Sequence, residues 1–251
     1  MKKIESILFC TVLFINITIA QNKSSVYNFP IKGGSAEWNK FNTHNEMLEA
    51  CQIPQSTLVN MSNRDLLLTC LNYPLFPDMW AFNSLQNGFE NVKKGFNGLQ
   101  ELFNRKDIVN ELVAEYEKMD PDLFEKNGTL LEQGKYAMEF AKMEILLAQP
   151  EILESMPTNR SKKVLTITYK NFEKMLNHKE LYSISSLEPI AYLMAKILQK
   201  EENAEFEQKL NKNKNLLSFS KTASMASIET INEISALVKN YLFNSPYAKH
   251  I

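Results

Sequence analysis

Two cysteines and one histidine open the question of chemistry, because Cys51, Cys70 and His44 are the residues that would form a three-ligand metal site or a thiol nucleophile with its base. Their spacing argues against both. The chain has only three histidines, His44, His178 and His250, and no two lie within helical reach of each other. His-Glu-x-x-His is absent, and so is a close cysteine pair of the zinc-binding kind. Cys51 stands two helical turns beyond His44, about 10 Å along an axis, too far for proton transfer. No metal and no cofactor is expected.

Other nucleophile and acid–base signatures are equally thin. The strand–turn–helix elbow Gly-x-Ser-x-Gly is missing, and Gly33-Gly34-Ser35 sits in a leader rather than a phosphate cradle. Asp120 and Asp122 flank a proline and punctuate a turn. A hydrolase built on this chain would need acids from distant helices, such as Asp107, Glu139 or Glu144. No catalytic residue is assigned on sequence grounds.

The cysteines keep two readings. A disulfide between Cys51 and Cys70 would close a loop of eighteen residues and stabilise the fold by ~3 kcal/mol on the chain-entropy account. Alternatively both are small apolar core residues, since free cysteine buries readily. The aromatic run Tyr73, Phe76, Trp80 and Phe82 also has two readings. It either fills the angle between short helices or forms a partner-binding surface, for which aromatic rings with a polar handle are well suited. Lys93-Lys94 and Arg105-Lys106 read as solvated helix faces.

Composition says which elements must position these groups. Only seven glycines occur in 251 residues, well under the usual ~7%, and that scarcity points to helices. With 28 basic and 29 acidic residues, the near-neutral balance gives no reason to expect a nucleic acid partner. The first twenty residues, MKKIESILFCTVLFINITIA, have a positive end, an apolar run and a small residue before Gln21, the layout of a secretory signal peptide. Cys10 lies too early in that run for lipidation. An exported chain is expected, in the periplasm, cell envelope or extracellular space, with no membrane span after cleavage.

Beyond residues 1–20, residues 21–37 read as a disordered or loosely attached leader and 38–251 as one helical domain. Thr43 with Glu46 and Ser62 with Asp65 have capping spacing. Pro54, Pro74 and Pro77 punctuate the helices between them. Helical periodicity is clean at Val109, Leu112, Tyr116 and Met119, and again at Tyr136, Phe140, Met143 and Leu147. Leu165, Tyr169, Phe172 and Leu176 repeat it, as do Ile231, Ile234, Val238 and Tyr241. Val164–Tyr169 alternates like a strand but lacks a partner strand, so it is assigned to a helix. A longer helix is expected over Leu187–Leu210, opened by Ser185 with Glu188. Residues 82–89 echo 96–103 at an offset of fourteen, a hint of a helical repeat. MDPDLFEKNGT is a candidate subdomain break near 120–128. The expected architecture is all-α, made of antiparallel helical hairpins, with solenoid-like stacking of the HEAT or armadillo kind as its variant.

Several of these stretches together resemble an uncharacterised family of secreted bacterial proteins. They are Cys51-Gln52-Ile53-Pro54, then Leu66 to Phe76 (LLLTCLNYPLF), then Phe96 to Leu102 (FNGLQEL) and Arg105-Lys106-Asp107. The resemblance covers about residues 38–120. That family often has threonine where this chain has Asn63, which leaves the capping role of Ser62 intact. The resemblance implies a bacterial, exported protein and carries no activity. The favoured reading is a non-catalytic binding or scaffold module for a protein, peptide or envelope polymer, using the face formed by residues 73–103. The rival is a secreted hydrolase with an α-helical catalytic domain.

Overall fold

The computed structural model describes residues 26–123, 128–224 and 226–244. In them the chain is all-α. Its first half carries α1 (His44–Ala50), α2 (Gln55–Leu58), α3 (Asn63–Leu71), α4 (Leu85–Gly95), α5 (Asn97–Asn104) and α6 (Ile108–Tyr116). The second half carries α7 (Leu130–Leu147), α8 (Pro150–Ser155), α9 (Thr158–Met175), α10 (Ile184–Lys200), α11 (Ala204–Leu210), α12 (Lys214–Thr222) and α13 (Ile228–Lys239). Short 3-10 segments cover Trp38–Lys40, Phe76–Ala81 and Pro121–Leu123, and a π turn, Asn240–Asn244, follows α13. Residues 1–20, where a signal peptide is expected, lie outside the described residues.

Capping explains most of the helix starts. The Thr43 hydroxyl accepts from the Glu46 amide, and the Glu46 carboxylate reaches back to the Asn42 amide. Ser62 caps α3 through the Asp65 amide. Thr129 and Glu132 form a full reciprocal capping box on α7, inside the stretch that reads as a break in the sequence. The long helix expected over Leu187–Leu210 divides instead. Glu202 adopts a left-handed φ of 51°, and the Asn203 side chain caps α11 by accepting from the Phe206 amide. Ser183, not Ser185, stands at the start of α10. Val164–Tyr169 is helical, within α9.

The core is organised around two helices that each carry a stretch with no solvent face. In α7 every residue from Phe140 to Leu147 is buried, and in α10 each of Ile190–Ala195 is at most 1% exposed. A helix that is apolar on all sides must be wrapped. α10 is packed by α7, α9 and α13, with α8, α11 and α12 completing the jacket, while α3, α6 and α8 also close on α7. Solenoid units touch only their chain neighbours and leave outer faces wet. This centre-and-jacket packing departs from that variant.

Polar links tie the two halves into one continuous core spanning both sides of residues 120–128. The Gln86 and Gln149 side chains exchange amide hydrogen bonds of 2.9 and 3.1 Å, and the Tyr192 hydroxyl donates to Gln86. The Leu85 amide donates to the Ala223 carbonyl, beside an isolated bridge between Ser84 and Ser224. Lys142, though buried, donates to the Leu71 carbonyl at the end of α3 and to Glu139.

Three local expectations need correction. The described part of the leader is attached, not loose: Phe29 is buried among Tyr27, Tyr73 and Phe96, and the Tyr27 amide donates to the Thr69 hydroxyl. Arg105 is no mere solvated charge, because its fork donates to the Met61 and Leu58 carbonyls at the end of α2. Lys93 pairs with Glu151 and lies 4.3 Å from the centre of the Phe103 ring. The echoed segments differ in role, since Phe82 is exposed and its counterpart Phe96 is fully buried.

Gly88 sets how closely α4 approaches the 3-10 segment Phe76–Ala81. A Cβ there would stand 1.9 Å from the Met79 carbonyl oxygen. On an isolated helix Gly→Ala gains about 1 kcal/mol, but here backbone would have to move. Gly88→Ala is therefore expected to lower the unfolding free energy by at least about 2 kcal/mol, read as a lower midpoint in urea. An unchanged or higher midpoint would contradict this contact.

Candidate functional site

The 3-10 segment Phe76–Ala81 exists because Pro74 stops α3 and Pro77 starts the next turn. Its short, tight turns splay the aromatic run in different directions. Phe76 goes inward, fully buried beside Phe89 and under the Lys142 ammonium. It is a core residue, which corrects its place in the expected partner surface. Trp80 and Phe82 go outward and are 41% and 44% exposed. Tyr73 is 2% exposed, and its ring stacks on Phe96 at 3.9 Å between centroids with a 7° tilt.

Tyr73 and Phe82 help to line a pocket of about 240 Å³. Its apolar walls include Leu48, Leu75, Val92 and Phe82, and its polar groups are His44, Tyr73, Asp78 and Asn91. His44 comes from the first turn of α1 and Asp78 from the 3-10 segment, and their Nε2 and Oδ2 atoms are 3.5 Å apart. Burial raises the Asp78 pKa, partly offset by the His44 charge. The Tyr73 hydroxyl is buried without a hydrogen-bond partner. Its pKa is pushed well up by burial, with smaller contributions from Cys51 and Asp78. A larger groove of about 500 Å³ between residues 26–33 and Asn72, Pro74 and Lys135 includes no acid in its lining. The smaller pocket therefore has the chemistry of recognition: an apolar wall with a few convergent polar atoms.

The cysteines contribute packing. Cys51 and Cys70 are free and buried, so the structure does not form the disulfide. Burial raises both thiol pKa values, Cys70 well above the ordinary range, and a thiol held protonated is a poor nucleophile. Among the described residues no group of three or more His, Cys, Asp or Glu could hold a metal ion.

The acids named for hydrolysis are scattered. Asp107 is exposed ahead of α6 with φ 62°, and Glu139 is half-exposed and paired with Lys142. Glu144 has no exposed surface, so it cannot share an open cleft with Asp107. Its Oε1 accepts from the Tyr116 hydroxyl at 3.3 Å, and its Oε2 has no partner. Burial raises its pKa well above the ordinary carboxyl value, opposed only by the Tyr116 hydrogen bond. Asp120 and Asp122 bind Lys174, and Asp122 also meets His178 at 2.8 Å, which pins the 3-10 turn Pro121–Leu123 to the end of α9.

The sequence reading found Tyr73, Trp80 and Phe82 but missed Asp78, and it considered His44 only as a metal ligand or a base for Cys51. Thirty-four residues separate His44 from Asp78. Only the stop at Pro74 and restart at Pro77 hint that a turn would bring Asp78 back toward α1.

Two outcomes follow from the buried groups. Folded Glu144 holds a proton that the unfolded chain releases above its ordinary pKa of 4.5. Its share of stability is thus present below that pH and falls as pH rises, by up to about 1.4 kcal/mol per pH unit. Glu144→Gln should flatten this slope in urea titrations between pH 5 and pH 8 (roughly the window in which such a carboxyl ionises), and an unchanged slope would contradict the assignment. Cys51 and Cys70 should resist alkylation in native protein and react fully in denaturant. Peptide mapping that finds them bridged would overturn the free-thiol state.

No protein-family model, curated protein or solved structure matches the chain. The functional reading consequently rests on the pocket and the rings around it.

Proposed function

We propose that this protein is an exported, non-catalytic binding module whose partner, a protein, peptide or envelope polymer, docks on the face built by residues 73–103. The observation that carries this reading is the pair of exposed rings, Trp80 and Phe82, on the short 3-10 stretch that also supplies Asp78 to the adjoining pocket. Large exposed aromatics beside a concave, partly polar site are the residues that most often dominate partner affinity. The rigid support beneath them is unusual for a loop: the backbone of the 3-10 segment touches α4 at Gly88, and Phe76 anchors it in the core. Export is supported by the signal-like first twenty residues and by the resemblance to secreted bacterial proteins. Among the described residues no helix is long and apolar enough to cross a membrane.

The acids available for hydrolysis favour the rival reading less. Glu144 is sealed and Glu139 is engaged by Lys142.

Removing an exposed ring tests the surface without touching the core. Immobilised protein should recover a specific partner from envelope extract, and Trp80→Ala should weaken that capture at least tenfold, about the cost of losing one hot-spot side chain. Circular dichroism of the variant should match the parent. Capture that is indifferent to Trp80, or no specific capture, would count against the proposal.

A further inference from the structure

The pocket that Phe82 helps to line presents acceptors in excess. Among the described residues the Asp78 carboxylate accepts no side-chain hydrogen bond, and the His44 ring, on a side chain 57% exposed, stands 3.5 Å from it. That distance is long for a hydrogen bond. Asn91 spends its amide nitrogen on the Asn87 carbonyl at 2.8 Å, which leaves its side-chain oxygen as acceptor.

We infer that the pocket takes the cationic end of a lysine or arginine side chain from a polypeptide partner. This inference rests on the reading of the 73–103 face as a partner-binding surface. An ammonium carries three donors and no acceptor, a guanidinium five donors and no acceptor. Either matches the Asp78 carboxylate and the Asn91 side-chain oxygen, and their alkyl stems suit the Leu48, Leu75 and Val92 walls. The Phe82 ring adds a face on which a cation is attracted. A sugar hydroxyl donates to Asp78 without bringing the opposite charge, and an anion meets Asp78 with like charge. A polypeptide source follows from Trp80 and Phe82, whose exposed rings need apolar cover that a small free amine does not supply.

The test follows amide and ring signals of the isotope-labelled protein by NMR during titration with Nα-acetyl-lysine methylamide and Nα-acetyl-arginine methylamide. Norleucine and citrulline counterparts serve as neutral controls and butylamine as the free cation. The cationic derivatives should shift His44, Tyr73 and Asn91 saturably, with neutral counterparts at least about tenfold weaker, the scale of one charge-assisted bond. Asp78→Asn should reduce cation binding by about tenfold, with parental circular dichroism. Equal binding of neutral and cationic ligands, or binding indifferent to Asp78→Asn, would overturn the inference. Butylamine binding as tightly as the lysine derivative would overturn the polypeptide source. Trp80-dependent partner capture without cation binding would remove this inference and keep the surface; cation binding with Trp80-indifferent capture would do the reverse.

Discussion

The burial on all sides of Phe140–Leu147 in α7 and Ile190–Ala195 in α10 governs everything else in the molecule. A helix with one apolar stripe can be satisfied by a single neighbour, but Ile190–Ala195 expose nothing in any direction. Apart from α9, the remaining helices are shorter than this pair, and each covers one sector of the core. α8 and α11 have six and seven residues, lengths that would be marginal alone in water. Their stability comes from the surface they cover.

Two of the buried polar contacts inside this core join helices. Lys142 neutralises the carbonyl end of α3 and holds Glu139, so one buried cation serves two elements. Gln86 and Gln149 satisfy each other where α4 meets the start of α8. Glu144 is the exception, since one of its oxygens and the Asn171 amide nitrogen both lack a partner. Burial of such a group stabilises nothing by itself. The surrounding packing carries it, and the proton it retains keeps the cost below that of a buried charge.

Most of the fold could be read from the chain because its signals are local. Capping at Thr43 and Ser62, breaks at Pro54 and Pro74, and stripes through α6, α7, α9 and α13 depend on residues within one or two turns. The split between α10 and α11 was missed because KEENAEFEQK has good helix formers throughout, and only the Asn203 cap and the left-handed Glu202 reveal the stop. Arg105 was misjudged for another reason: its partners, the Leu58 and Met61 carbonyls, are over forty residues away, and no pattern marks a backbone oxygen as waiting for a guanidinium. The candidate site was half legible. Exposed aromatics announce themselves by type, whereas a His–Asp neighbourhood made by distant turns does not.

The tie between the Leu85 amide and the Ala223 carbonyl links an early segment to one synthesised near the end of the chain. During stepwise emergence from a ribosome or export channel, the start of α4 must wait for α12 before that amide finds its native acceptor. Phe82 stands immediately ahead of this junction, so the stem of the outward-facing rings, already held by α4 through Gly88, gains its last backbone tie only after nearly the whole polypeptide has been delivered.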